Sequence, residues 1–137
     1  MIRNRIALGV GCIAALFQLY IGIMHFPMAH DMAAFHEYAA LSAPALDFFI
    51  LITYCVGLLL VVFGAWSLFF AYRLLKGNGL ARVYFMSQGL MLSTRTVFEA
   101  MYPVAVPEPR PEVLYQLAGL GLFFFLAAAL PSRTTTA

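Results

Sequence analysis

Charge is what this sequence has least of. Only 10% of its 137 residues are Asp, Glu, Lys or Arg. A soluble domain carries about 25% and covers its surface with them. This chain cannot do that, and 64% of it is hydrophobic, with a mean hydropathy of +0.90. Lipid is therefore its expected solvent. Cysteine is also scarce. Cys12 and Cys55 both fall in apolar runs at different expected depths, and there is no CxxC. A thiol–disulfide enzyme thus has no support, and the two thiols read as small hydrophobes. The sequence also lacks a Gly-rich phosphate loop, a G-x-S-x-G and any nucleic-acid-binding motif.

What is present is long uncharged runs. A bilayer crossing needs about 20 apolar residues. Residues 6–25, 48–72, 83–102 and 113–130 each meet that length with few charges. The first run follows Arg3 and Arg5 as a signal peptide would, but it is long for one and lacks an A-x-A site. It is read as a retained helix. The connections are short. Pro27 and Pro44 bracket the first, where residues 28–41 suit a short helix in the interface plane. Lys76-Gly77-Asn78-Gly79 makes the second, a tight turn. Pro107, Pro109 and Pro111 stiffen the third. The expected fold is all-α: one integral membrane domain over residues 1–137, a four-helix up-down transmembrane bundle.

Charge is also one-sided. With the N-terminus inside, Arg3, Arg5, Arg73, Lys76, Arg82 and Arg133 lie inside, and only Arg95 and Arg110 lie outside. The positive-inside rule then places both termini in the cytoplasm. All six acids, Asp31, Glu37, Asp47, Glu99, Glu108 and Glu112, fall toward the outer side. So do all three histidines, His25, His30 and His36.

The candidate chemistry gathers there. Arg95 and Glu99 are four residues apart and share a helix face. A charge at that depth costs on the order of 3 kcal/mol, so it should be paired and face the bundle interior. Glu99 and Asp47 are the candidate proton-transfer groups. His25, Arg95 and Tyr102 are the candidate ligand-binding groups. A structural reading stands beside this one: the pair fixes helix register, and Ser87, Ser93 and Thr94 bond to their own carbonyls. His25, Met28 and His30 form a thioether–imidazole set that suits Cu(I). Pro27 is expected to break its helical spacing, and methionines are also ordinary apolar filler. Phe48, Phe49, Tyr54, Phe98, Tyr102 and Tyr115 read as an outer aromatic belt. Trp66, Phe69, Phe70, Tyr72, Tyr84 and Phe85 read as the inner one. Gly57, Gly64, Gly119 and Gly121 permit close helix approach.

Gly22-Ile23-Met24-His25 and the Arg95…Glu99…Tyr102-Pro103 stretch, together with four spans in a short chain, resemble the DoxX-like small bacterial membrane proteins. The resemblance implies a membrane subunit or accessory protein tied to redox or quinone chemistry. Three functions follow as expectations. One is an accessory subunit or binder of a lipophilic molecule such as a quinone or isoprenoid. Another is an enzyme doing acid/base chemistry on an apolar substrate, and the third is copper handling. The expected partners are the bilayer, a lipophilic small molecule, and a membrane-complex partner or a second copy. No residue pattern names a cofactor.

Overall fold

A computed structural model describes residues 2–35, 38–101 and 111–131. The described chain is helical: α1 (Ile2–Asp31), a 3₁₀ turn (Met32–Ala34), α2 (Ala43–Leu75), α3 (Gly79–Met101) and α4 (Pro111–Ala129). Helix is what an apolar chain forms in lipid, because each backbone N–H must find its carbonyl within the segment. Residues 2–34, α2 and α4 are long and apolar enough to cross a membrane. With 23 residues, α3 spans roughly 35 Å at about 1.5 Å per residue, but it carries Arg82, Arg95 and Glu99 and is the least apolar of the four.

Local chemistry sets most boundaries. Pro44 lies in the first turn of α2, where its missing N–H costs nothing. Gly77 takes φ 66° in the turn before α3, and Asn78 Oδ1 accepts the Ala81 N–H at 3.0 Å to cap that helix. Pro111 opens α4.

The first connection corrects the sequence reading. Pro27 does not end the helix; α1 runs through it to Asp31. Residues 28–31 of the expected interfacial helix thus belong to α1, and His36 and Glu37 of it lie outside the described residues. A 3₁₀ turn follows α1, then Phe35 is extended. Proline removes one donor, the one that would reach Ile23 O, and a helix near its end in lipid tolerates that loss. His36 and Glu37, Tyr102 with the proline-rich link through Arg110, and the tail from Ser132 lie outside the described residues.

Three long-range hydrogen bonds join helix ends of opposite sense. Asn4 Nδ2 donates to Leu75 O at 3.2 Å. Arg3 Nε donates to Leu130 O and Arg82 Nε to Ala128 O, both at 3.0 Å. The start of α1 therefore meets the ends of α2 and α4, and the start of α3 meets the end of α4. This gathers Arg3, Arg5, Arg73, Lys76 and Arg82 at one end. Asp31, Asp47, Glu99 and Glu112 fall at the other.

The most extensive pairing is α1 on α2, then α3 on α4. The shared core is small-to-large. Ala7, Ala14, Ala71, Ala81 and Ala127 leave room into which Phe85, Phe124 and Leu74 fill. The Phe85 and Phe124 rings meet at 5.4 Å. Phe85, expected in the inner belt, is instead fully buried. Its neighbour Gly11 is the reason: a Cβ there would come within 3.0 Å of the Phe85 ring.

Candidate functional site

Arg95 and Glu99 form an ion pair one helical turn apart on α3. Their environments differ. The Glu99 side chain is 9% exposed and that of Arg95 48% exposed. The carboxylate is turned into the protein and the guanidinium reaches outward along an apolar stem. Glu99 sits in the last turn of α3 (Gly79–Met101), where helix carbonyls make the local field negative. An acid there meets two penalties, burial and dipole, and Arg95 offsets part of both.

The other expected members are placed as follows. His25 is half-buried, and its Nδ1 is 2.7 Å from Ile21 O. A carbonyl only accepts, so Nδ1 donates this bond. Asp47 is exposed in the second turn of α2. Among the described residues, no hydrogen bond or ion pair joins His25 or Asp47 to Arg95 or Glu99. Tyr102 lies outside the described residues.

The Met/His stretch also differs from its expected form. Because α1 continues through Pro27, Met24 and Met28 keep helical spacing. Both are exposed, while Met32 is buried. His30 is exposed and its Nδ1 donates to Asp31 Oδ1 at 2.7 Å. Among the described residues, no three His, Cys, Asp or Glu side chains converge as a metal cage would require.

Most hydroxyls on α3 are used locally. Thr94 donates to Leu90 O, Thr96 to Leu92 O and Ser87 to Tyr84 O. This is the back-bonding that spares a hydroxyl in lipid.

Inside the bundle is a polar cluster that sequence reasoning missed. Gln18 of α1, Ser67 of α2 and Gln88 of α3 are buried, and Tyr84 is half-buried beside them. Gln18 Nε2 donates to Gln88 Oε1 at 3.3 Å. Tyr84 OH lies 2.9 Å from Phe63 O and 3.1 Å from Ser67 Oγ. Ser67 Oγ lies 2.7 Å from Phe63 O and 3.3 Å from Gln18 Oε1. One proton assignment serves every acceptor: Tyr84 donates to Phe63 O, which frees the Ser67 hydroxyl to donate to Gln18. Tyr84 is therefore no belt residue. The available signal was two amides, Gln18 and Gln88, inside otherwise apolar runs, since such groups must find partners across helices.

A groove of about 270 Å³ opens between α1 and α4. Ile13, Ala14 and Phe17 form one wall; Gly119, Leu120 and Phe123 form the other, with Tyr115 and Gln116 toward the start of α4.

No protein-family model, curated protein or solved structure matches this chain.

Proposed function

We propose that the chain is a small multi-pass inner-membrane protein of the DoxX-like kind that holds a lipophilic molecule, quinone- or isoprenoid-like, at its extracytoplasmic end. In this reading the four helices, α3 included, cross the bilayer up and down, with both termini cytoplasmic. The antiparallel end contacts of α1 with α2 and α4, and of α3 with α4, support that arrangement, as does the gathering of cations at one end. A C-terminal fluorescent-protein fusion is expected to fluoresce, and a C-terminal periplasmic-phosphatase fusion to be inactive. The reverse pattern would overturn the orientation.

One observation carries the functional reading: Glu99 is buried and paired with Arg95 in an apolar bundle. Intramembrane ions are costly, and they concentrate where a polar group of a ligand or substrate is handled. Arg95 is the group to meet a carbonyl or anionic headgroup, and Glu99 is the group to exchange a proton with it. The same pair would serve acid/base chemistry on an apolar substrate. His25 and Asp47 belong to the same end and stand as further contacts.

The test is extraction of the purified protein with organic solvent, followed by mass spectrometry of what it carries. Wild type is expected to yield an isoprenoid lipophile near one per chain. Glu99→Gln and Arg95→Ala are each expected to lower that yield at least about tenfold, the loss of one charged hydrogen bond, while thermal melting in detergent stays close to wild type. Equal yields in all three proteins would sink the ligand reading. Variants that lose folding in step with yield would make the pair structural.

A further inference from the structure

The basic end carries a second arrangement, distinct from the Arg95–Glu99 site. Arg3, Arg5, Arg73, Lys76 and Arg82 lie there, and the described acids lie at the opposite end. The ion pairs among the described residues are His30–Asp31 and Arg95–Glu99. These five cations therefore have no carboxylate counter-ion among the described residues. Two of the five are already oriented. Arg3 and Arg82 come from different helices, and each places its Nε on a carbonyl at the end of α4, Leu130 O and Ala128 O. A guanidinium has five N–H donors, so this contact fixes each fork and leaves its terminal amino groups for a further acceptor. Arg3 from α1 and Arg82 from α3 thus both contact carbonyls at one helix end, two residues apart. Arg73 and Lys76 are engaged differently, over the Phe69 and Tyr72 rings of α2.

The groove between α1 and α4 belongs to the same pair of helices. On α1, Ala14 and Phe17 follow Arg3 by 11 and 14 residues, close to three and four turns, so all three share a face. Arg3 and Ala14 are separated by roughly 16 Å along the helix at about 1.5 Å per residue. Half of a hydrocarbon core about 30 Å thick is about 15 Å. The rise along α1 from Arg3 to the groove thus matches the depth of one leaflet. The far wall contains Gly119, where a Cβ would meet nothing within 4 Å.

We propose that the α1–α4 seam binds one anionic phospholipid from the leaflet at the basic end. Arg3 and Arg82 hold its phosphate, and one acyl chain lies in the groove of Ile13, Ala14, Phe17, Gly119, Leu120 and Phe123. Charge complementarity selects the headgroup, and the groove selects a chain rather than a free anion.

The experiment is native mass spectrometry of the full chain in mild detergent, titrated with dioleoylphosphatidylglycerol, dioleoylphosphatidylcholine or inorganic phosphate. Wild type is expected to prefer the glycerol lipid over the choline lipid by about tenfold, two cations near an anionic headgroup being sufficient for that. The preference should collapse in the Arg3→Gln/Arg82→Gln variant and at high salt, and should persist in Arg73→Gln. Gly119→Leu should weaken both lipids by a similar factor and leave the preference intact. Equal binding of both lipids by wild type, or a preference that survives loss of both arginines, overturns the headgroup site. Inorganic phosphate binding as tightly as the glycerol lipid would make it a free-anion site, and unchanged binding in Gly119→Leu would remove the chain from the groove. The high-salt arm uses wild-type protein, so it decides the headgroup question even where the double variant does not fold.

Discussion

Gly57→Leu is expected to destabilise the bundle by about 3 kcal/mol, the upper end of overpacking costs. The seam between α1 and α2 leaves no room for a side chain at this point. A Cβ on Gly57 would lie 2.8 Å from His25 Cβ and 3.0 Å from Gly22 O. A Cβ on Gly22 would lie 2.8 Å from Val61 N and 3.0 Å from Gly57 O. These are main-chain and first side-chain atoms, which cannot rotate away as the tip of a long side chain can. The helices must separate instead. Separation would withdraw Leu19 from its place against Gly64, where a Cβ would come within 2.6 Å of Leu19 Cγ. It would also stretch the 3.3 Å contact between Ser67 and Gln18. Gly119→Leu is the control, because its Cβ enters open space. There the gain in helix propensity, up to about 1 kcal/mol, is expected to leave stability unchanged or slightly higher. Equilibrium unfolding in mixed micelles checks both. A Gly57→Leu protein as stable as wild type would show that α1 and α2 do not approach through these glycines.

That contrast shows what a sequence of this kind reveals. Gly57, Gly64, Gly119 and Gly121 are alike as sequence, each permitting close approach. In the structure Gly57 and Gly64 are crossed by another helix, whereas Gly119 borders a groove. A soluble helix betrays its buried side by a polar opposite face. Here α2 is apolar all round, with Leu51, Leu58, Val62 and Phe69 exposed, so the pattern marks no interior. Helical state and the turn at Gly77 were legible because local chemistry decides them, whereas Pro44 and Pro111, read as parts of the connections, lie in the first turns of α2 and α4. Pro27 was misread because a helix in lipid continues through proline where neighbouring groups serve the freed carbonyl, and that surrounding is not written in the sequence. The Arg95–Glu99 pair was legible as an i, i+4 spacing. That Glu99 is the buried partner and Arg95 the half-exposed one was not. The depth of a side chain depends on which helices lie beside it, and spacing along one helix carries no such information.

The buried amide pair has the second largest expected effect, and its sign pattern is distinctive. Gln18→Leu removes the donor to Gln88 Oε1 and the acceptor of the Ser67 hydroxyl. Ser67 retains Phe63 O within reach, so the loss falls on Gln88, whose amide stays buried. A buried polar group stripped of its partner costs about 1–3 kcal/mol. Gln88→Leu strands the Gln18 Nε2 donor, although Gln18 Oε1 keeps the Ser67 hydroxyl, and should cost about the same or somewhat less. The double variant leaves neither amide to satisfy, and leucine has nearly the same length. It should therefore lose clearly less than the sum of the singles, with a coupling of about 0.6–1.7 kcal/mol, the range seen for hydrogen bonds between helices in a bilayer. The cycle is measured by unfolding in mixed micelles. Strict additivity would mean that the two amides do not meet, and that α1 and α3 face each other through another register. A double variant more stable than either single, with Ser67→Ala costing little in that background, would locate the specificity of the α1–α2–α3 packing in this one cluster: two glutamines, each costly without the other, oppose any rotation of α1 that the uniformly apolar faces around them would otherwise permit.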